Sequence, residues 1–272
     1  MRKRIVRTML AAGMAAMFAS CGSSGEDGAP VPTNPTSASL PQSPAIPEFV
    51  TAALADPERA MHAGADARRK PAELIALSGL KPGDRVLDLI PGDGYWTRIF
   101  SRIVGPDGRV LAVWPQNYAR YSEGNVATLR QLAATSHYAN VRVEVQPNPV
   151  LSASEPLDLV WTSQNYHDYP DEFMGRIDPA QLNRAVYAML RPGGIFFIID
   201  HAAEPGSGMR DTEALHRIDP ETVRQQVEAA GFEYLGASAI LANPADDHRR
   251  RVFDPAIRGR TDQFVMKFRR PT

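Results

Sequence analysis

Residues 86–97 read VLDLIPGDGYWT, and this stretch decides the fold. Its first five residues are apolar except for Asp88, as expected for a central parallel strand that is covered on both faces. Gly92 and Gly94 follow at once, and glycine lets the backbone turn sharply and approach a ligand closely. The helix that begins after Gly94 directs its first amides toward the same space. The stretch therefore predicts a strand, a turn and a helix that together hold a small ligand.

The rest of the chain alternates predicted helices and strands. Helices are predicted at 49–54 and 57–77, with an interruption at Pro71, and the basic run 68–70 is interpreted as a solvated face. Further strands are predicted at 109–114, 141–145, 157–162 and 195–200, and further helices at 95–104, 125–135 and 179–190. Such alternation indicates an α/β fold with a doubly wound, mostly parallel sheet.

The C-terminal part departs from this alternation. A helix predicted at 220–230 ends at Gly231, and two strands follow at about 234–241 and 262–268 with only a loop between them. Consecutive strands without an intervening helix favour antiparallel pairing. The sequence therefore predicts an antiparallel hairpin at the edge of the sheet.

The N-terminal region has the pattern of an export signal. Four basic residues precede an apolar run at 9–19, which is too short to span a membrane and is typical of a secretory signal. Residues 21–47 are rich in Gly, Ser, Pro and Ala, and predict a flexible linker. The predicted organisation is a signal peptide at 1–20, this linker, and a folded domain at 48–272.

Cys21, the only cysteine of the chain, directly follows the predicted signal region. Its position resembles the lipobox of bacterial lipoproteins, which implies lipid attachment at Cys21 and a membrane-anchored, periplasmic protein. Phe18 stands where that pattern usually has leucine, so ordinary signal cleavage is the alternative. Because the predicted signal carries four basic residues and no acidic one, the remaining chain is mildly acidic, which argues against a nucleic-acid partner.

Several of these motifs together resemble the class I S-adenosylmethionine-dependent methyltransferases over roughly residues 71–270. They are VLDLIPGDG as the first motif, LDLVWTS as the fourth strand, LRPGG before the fifth strand, and the antiparallel end. The sequences TSQNYHD and DTEALHRID resemble signatures of an uncharacterised group of exported bacterial proteins of this family. The resemblance implies a seven-stranded Rossmann-like sheet, S-adenosylmethionine as cofactor and a small-molecule acceptor.

The resemblance also assigns cofactor-binding residues within the first motif. Asp88, Gly92 and Gly94 match the family motif, and Asp93 stands where a turn residue is expected. Ile90 occupies the place of the first family glycine, which implies a tighter turn or a backbone that a ligand approaches less easily.

Two further cofactor positions depart from the family pattern. An acidic residue that binds the ribose usually ends the second strand, but Trp114 stands there. Its indole cannot accept those hydrogen bonds, although it could stack on adenine, and Gln116 or Asn117 could substitute. After the third strand, Asn148 replaces the usual aspartate and could accept one bond from adenine.

Polar side chains crowd the predicted end of the fourth strand. By resemblance, Asn165, Tyr166 or His167 touches the acceptor, and His167 is a candidate general base near neutral pH, oriented by Asp168 or another carboxylate. The predicted fifth strand ends at Asp200 and His201, which could share the same cleft. His201 is therefore a further catalytic candidate.

The histidines leave alternatives open. His167, His201 and His216 with Asp200 could ligate a divalent metal, but no compact metal motif is present. The preferred interpretation is a hydrogen-bonded cluster of Asp200, His201 and His216 that orders the loop. Export is a further consideration, because S-adenosylmethionine is made in the cytoplasm. Two alternative functions follow, a non-catalytic envelope protein that reuses the pocket and a metal-assisted hydrolase.

Overall fold

The structure is a computed structural model that describes residues 39–272. The predicted signal peptide, Cys21 and most of the predicted linker lie outside the described residues. Within residues 39–272, each helix is too short or too polar to cross a membrane.

Within the described residues, seven strands form a single sheet in the order β3-β2-β1-β4-β5-β7-β6. The strands are β1 (Arg85–Leu89), β2 (Arg109–Pro115), β3 (Val141–Gln146), β4 (Leu157–Ser163), β5 (Leu190–His201), β6 (Glu233–Ser238) and β7 (Gln263–Arg269). The first five strands pair in parallel, and β7 pairs antiparallel with both β5 and β6. The predicted fold class and the antiparallel hairpin are therefore confirmed.

Helices flank the sheet. The α-helices are α1 (Glu48–Leu54), α2 (Asp66–Arg69), α3 (Pro71–Ser78), α4 (Tyr95–Val104), α5 (Gln116–Ala119), α6 (Glu123–Ala133), α7 (Pro179–Met189), α8 (Thr212–Leu215) and α9 (Pro220–Glu228). The predicted helix at 57–77 is divided into a 3-10 helix at Pro57–Ala65, then α2 and α3. Lys70 separates α2 from α3 with a φ of 44°, in the left-handed region, so one helix does not continue into the next.

Strand β1 is buried on both faces, as its sequence predicts. Val86 belongs to one hydrophobic cluster, and Leu87 and Leu89 belong to the other. In the first cluster the Trp161 ring lies 4.7 Å from that of Trp96 and 4.6 Å from that of Phe197. Burial of such large aromatic surfaces on both sides stabilises β1 at the centre of the sheet.

The segment before α1 contacts the edge of the sheet. Ser39 forms a parallel bridge with Ala237 of β6, and the Leu40 amide donates to the Ala237 carbonyl at 2.8 Å. The last part of the predicted linker therefore pairs with the edge strand.

Candidate functional site

A cavity of about 300 Å³ opens where β1, β4 and β5 end. Since β2 lies on one side of β1 and β4 on the other, the connections diverge here, and ligands of open α/β sheets bind at such a point. Among the residues that were predicted as functional, those that line this cavity are Asp88, Gly92, Asp93, Asn165, His167 and His201. Four others, Gly94, Trp114, Asn148 and Tyr166, are absent from its lining.

The turn after β1 has an unusual backbone. Ile90, Gly92 and Gly94 have φ values of 57°, 59° and 83°. A β-branched residue rarely adopts this region, and the strain costs about 1–3 kcal/mol. Ile90 therefore retains the left-handed turn that a glycine would make, at a cost in strain, while its side chain is buried in the core.

The two glycines of the turn have different surroundings. A Cβ at Gly92 would meet no atom within 4 Å, whereas one at Gly94 would approach Leu129 to 2.5 Å. Gly92 therefore borders open space in the cavity, and Gly94 allows α4 to pack closely against Leu129.

Asp88 is a buried carboxylate at the base of the cavity. Its side chain accepts a hydrogen bond of 2.6 Å from the Thr97 hydroxyl on α4. Burial raises the pKa of Asp88 to about 7, although the Thr97 hydrogen bond and the nearby Arg69 oppose the shift. The group therefore changes charge near neutral pH.

Arg69, at the end of α2, also lines this cavity. Its guanidinium carbon lies 4.5 Å from the centre of the Tyr95 ring, and burial lowers its pKa. Within residues 39–272, no carboxylate lies within ion-pairing distance of Arg69, and its Nε has no hydrogen-bond partner. The interpretation of residues 68–70 as a solvated face is therefore wrong for Arg69, because α2 ends beside the cavity.

A hydrogen-bonded network fixes the position of α2. Arg59 bonds both carboxylate oxygens of Asp66, and the Tyr95 hydroxyl donates to Asp66 at 2.7 Å. These contacts join α2 to α4, and the guanidinium of Arg59 is paired with the Asp66 carboxylate. Arg69, one turn further along, keeps its hydrogen-bonding groups for another partner.

His167 lies between two carboxylates beyond the end of β4. Its Nδ1 is 2.7 Å from Asp200 and its Nε2 is 3.1 Å from Asp168. Burial alone would lower the pKa of His167, but Asp200 and Asp168 outweigh it and raise the pKa to about 10. This contradicts the prediction of a general base near neutral pH, because a protonated imidazole has no lone pair to accept a proton.

The other two histidines of this region contact different groups. Nδ1 of His201 lies 2.8 Å from the Thr261 hydroxyl, and burial lowers the pKa of His201 to about 3, so its ring is neutral. His216 lies 3.4 Å from Asp168, and its other nitrogen is 3.0 Å from Arg251. The potential metal ligands that cluster within 4.8 Å are His167, Asp168 and His216, a different set from the one that the sequence suggested.

Asn165 joins the two motifs that form the cavity. Its side-chain amide donates to the Ser163 carbonyl at 2.7 Å and to the Ile90 carbonyl at 3.3 Å. The end of β4 is thereby held against the turn after β1.

The predicted residues outside the lining have structural partners of their own. Trp114 is fully buried in the core, so the structure does not place its ring at the cavity. The Tyr166 hydroxyl bonds Gln226 and Asn183, at 3.0 and 2.8 Å. Asn148 accepts from the Asn117 amide and donates to the Met174 carbonyl.

Sequence reasoning missed several lining residues besides Arg69. Tyr118, Ser122, Asn125 and Phe173 lie on the side of the cavity beyond β2. They come from short helices and loops whose sequences show no motif, so no signal in the sequence distinguishes them.

Comparisons with known proteins agree with this architecture. Residues 60–179 match the model of the protein-L-isoaspartate (D-aspartate) O-methyltransferase family. The ubiquinone/menaquinone biosynthesis C-methyltransferase UbiE of Vibrio parahaemolyticus is 27% identical over 173 residues, which cover 62% of each chain. The UbiE of Ectopseudomonas mendocina is 26% identical over 198 residues, which cover 71% of this chain and 65% of that protein. The present chain therefore spans less than two thirds of the length of these relatives.

This chain belongs to the class I methyltransferase superfamily. Two solved structures share the superfamily fold. An arsenic(III) S-adenosylmethionine methyltransferase of Chlamydomonas reinhardtii has a TM-score of 0.50 at 19% identity and covers 84% of this chain and 75% of that one. The glycopeptide N-methyltransferase MtfA has a TM-score of 0.51 at 15% identity, and covers 77% of this chain and 87% of that one. None of these comparisons supports the alternatives of an envelope binding protein or a hydrolase.

Proposed function

We propose that this superfamily member is an S-adenosylmethionine-dependent methyltransferase that acts on a small-molecule acceptor. The observation that carries the proposal is the turn after β1, where Gly92 borders the open cavity opposite the end of β4. The relatives reported above are named as methyltransferases, which supports the same activity.

The charges of the cavity suit this cofactor. S-adenosylmethionine carries a carboxylate, an ammonium group and a sulfonium, so its net charge is positive. Arg69 would hold the carboxylate, since its guanidinium lies beside the cavity without a carboxylate partner among residues 39–272. Asp88, Asp93 and Asp168 line the same cavity and supply negative charge for the cationic groups.

The adenosine end of the cofactor would meet uncharged groups. Ser122 and Asn125 offer hydrogen-bonding atoms there, and Tyr118 and Phe173 offer aromatic surfaces. Neutral hydrogen bonds contribute about 0.5–1.5 kcal/mol each, against about 1.5–3 kcal/mol for those to a charged group. We therefore expect a moderate affinity for the cofactor.

When bound, the cofactor supplies an electrophilic methyl group on a positively charged sulfur. The residues of this chain position the reaction, which is the main requirement of such a transfer. Burial would raise the pKa of Asp168, but the adjacent His167 outweighs it and holds that pKa below its usual range, so Asp168 stays ionised at the cavity. Asp200 fixes His167 through its backbone amide and its Nδ1, and His167 in turn orients Asp168.

Calorimetry tests cofactor binding directly. The full chain is expected to bind S-adenosylmethionine and S-adenosylhomocysteine with micromolar affinity, and Gly92→Leu should abolish binding because the new side chain would enter the cavity. Gly83→Leu is the matched control, since Gly83 also has a positive φ with no atom within 4 Å of an added Cβ, but lies outside the cavity lining. Absence of binding by the unmodified chain would refute the proposal.

We also propose that residues 1–20 direct export and that Cys21 carries a lipid, so that residues 21–47 link the membrane to a periplasmic domain. The basic and apolar pattern before Cys21 supports this proposal. Cell fractionation of Cys21→Ala should move the protein from the membrane to the soluble fraction, with Ser23→Ala as the control. Retention of Cys21→Ala in the membrane would contradict lipidation.

A further inference from the structure

A second cavity, of about 380 Å³, adjoins the first. Five residues line both cavities, namely Arg69, Gln164, His201, Val252 and Phe253. The second cavity therefore lies beyond the ends of β4 and β5, on the side away from Tyr118 and Phe173. We refer to it as the basic chamber.

The charged side chains of the basic chamber are all arginines. Arg68, Arg69 and Arg258 line it, and no aspartate or glutamate of residues 39–272 belongs to the lining. Among residues 39–272, no carboxylate lies within ion-pairing distance of any of these three arginines. Neighbouring arginines differ, since Arg217 pairs with Asp246 at 2.8 Å and Arg250 pairs with Asp254 at 3.3 Å.

Backbone geometry brings the arginines of two separate segments together. Gly259 has a φ of 76°, and a Cβ there would lie 3.2 Å from Cδ of Arg68. The absence of a side chain at Gly259 therefore lets Arg68 of α2 pack against the loop before β7. Arg258 lies on a turn in which its amide donates to the Asp254 carbonyl at 2.8 Å.

The remaining polar groups of the chamber are neutral. The Gln164 amide donates to the side-chain oxygen of Gln263 at 3.1 Å. Burial keeps the His201 ring uncharged, so it adds neither attraction nor repulsion for an ion. The chamber thus combines neutral hydrogen-bonding groups with guanidinium groups that have no carboxylate partner in the described part of the chain, and guanidinium geometry matches carboxylates and phosphates.

We propose that the methyl acceptor is a small organic anion, a carboxylate or a phosphate ester, whose anionic group binds Arg68 and Arg258 in the basic chamber. This inference rests on the proposed methyltransferase function. Bound in this way, the uncharged part of the acceptor would extend past Gln164 and His201 toward the first cavity, where the cofactor is proposed to bind.

Three ligands that share a phenyl ring test the charge requirement. Calorimetry of the full chain, with and without saturating S-adenosylhomocysteine, would compare phenylacetate, phenyl phosphate and the neutral phenylacetamide. At least one anion should bind saturably and the amide should not, and the stronger anion would distinguish a carboxylate site from a phosphate site. Equal binding of the amide, or no binding of either anion, would overturn the proposal.

Variants distinguish anion binding by the arginines of the chamber from a general effect of positive surface charge. The double variant Arg68→Gln, Arg258→Gln should weaken anion binding about tenfold or more while S-adenosylhomocysteine binding is unchanged. Arg249→Gln, an exposed arginine outside the lining, should leave anion binding unchanged. If the cofactor product binds but the double variant binds the anion as the unmodified chain does, the acceptor site is wrong and the proposed function stands. If the cofactor product does not bind, the proposed function fails and the assignment of an acceptor falls with it.

Discussion

The cavity after β1 and the basic chamber beside it share five lining residues, yet among residues 39–272 carboxylates line only the first. Asp88, Asp93 and Asp168 line the first, whereas every charged residue that lines the second is an arginine. Asp88 lies in β1, Asp93 in the turn after it, and Asp168 in the segment after β4. Arg68 and Arg258 come from α2 and from the loop before β7, at the periphery. The carboxylates thus lie in or after two central strands of the sheet, whereas Arg68 and Arg258 come from segments outside the sheet.

Arg69 lines both cavities, so its removal should have the largest effect. Arg69→Gln is expected to weaken S-adenosylmethionine binding about tenfold to a hundredfold, since hydrogen bonds to charged groups contribute about 1.5–3 kcal/mol. Calorimetry of the full chain measures this change, and the exposed Arg120→Gln serves as control. An unchanged affinity in Arg69→Gln would show that the guanidinium does not hold the cofactor.

Asp88 should make the first cavity sensitive to pH. Since its pKa is raised from 3.8 to about 7, the carboxylate gains its charge as pH rises through 7 in the folded chain. Affinity for the cationic cofactor should therefore increase several-fold from pH 6 to pH 8, as calorimetry would show. Asp88→Asn should remove this increase. If the variant keeps the same pH profile, a group other than Asp88 causes the increase in affinity.

The same shift has a consequence for stability with a definite sign. A carboxyl group whose folded pKa lies above its unfolded pKa binds more protons in the folded state between the two values. The free energy of unfolding should therefore fall as pH rises from about 4 to about 7, by up to about 4 kcal/mol from this group. Urea denaturation should show a smaller fall for Asp88→Asn.

Added salt should change ligand affinity differently in the two cavities, and this effect should be smaller than those above. Arg68 and Arg258 are exposed, whereas Arg69 is partly buried, so added salt should screen the chamber more strongly. Phenylacetate binding is expected to weaken several-fold between low and high salt, and S-adenosylhomocysteine binding should change less. Calorimetry at two salt concentrations compares them, and equal sensitivity would remove the distinction.

Trp114 should have the smallest effect on binding, because its ring is buried away from both cavities. Trp114→Phe should leave cofactor affinity within about twofold, while the core loses about 1–2 kcal/mol of stability. Calorimetry and urea denaturation measure the two quantities. Phe173→Ala is the matched comparison, since Phe173 lines the first cavity and its loss should weaken binding.

The elements of the fold could be predicted because apolar periodicity and turn residues act locally. The strand 86–90, the following helix and the antiparallel end all follow from such patterns. The conformation of Ile90 could not be predicted, since its left-handed φ depends on the surrounding turn and is not one that isoleucine itself prefers. The sequence suggested a tighter turn or a backbone that a ligand approaches less easily, and the structure shows a strained isoleucine in a glycine-like conformation.

The site was less predictable because its contacts join distant segments. A carboxylate beside His167 was anticipated, as was Asp200 in the same cleft, but the bond between His167 and Asp200 joins residues 33 positions apart, and the sequence does not show that both Asp168 and Asp200 contact the ring. Strand β2 is buried on both faces at its end, so alternation could not indicate which way Trp114 points. Arg69 resembled its exposed neighbours in sequence, and the end of α2 beside Tyr95 distinguishes it only in three dimensions.

The pairing of Ser39 and Leu40 with β6 affects how copies of the protein meet one another. An open edge strand presents unpaired backbone groups that can join the sheets of two molecules. Residues 39 and 40 occupy part of that edge at Ala237, and at the opposite edge β3 carries the charged Arg142 and Glu144. The chain that leads into the domain thus covers part of one edge, and the other edge carries charged side chains, two features that disfavour edge-to-edge association of sheets.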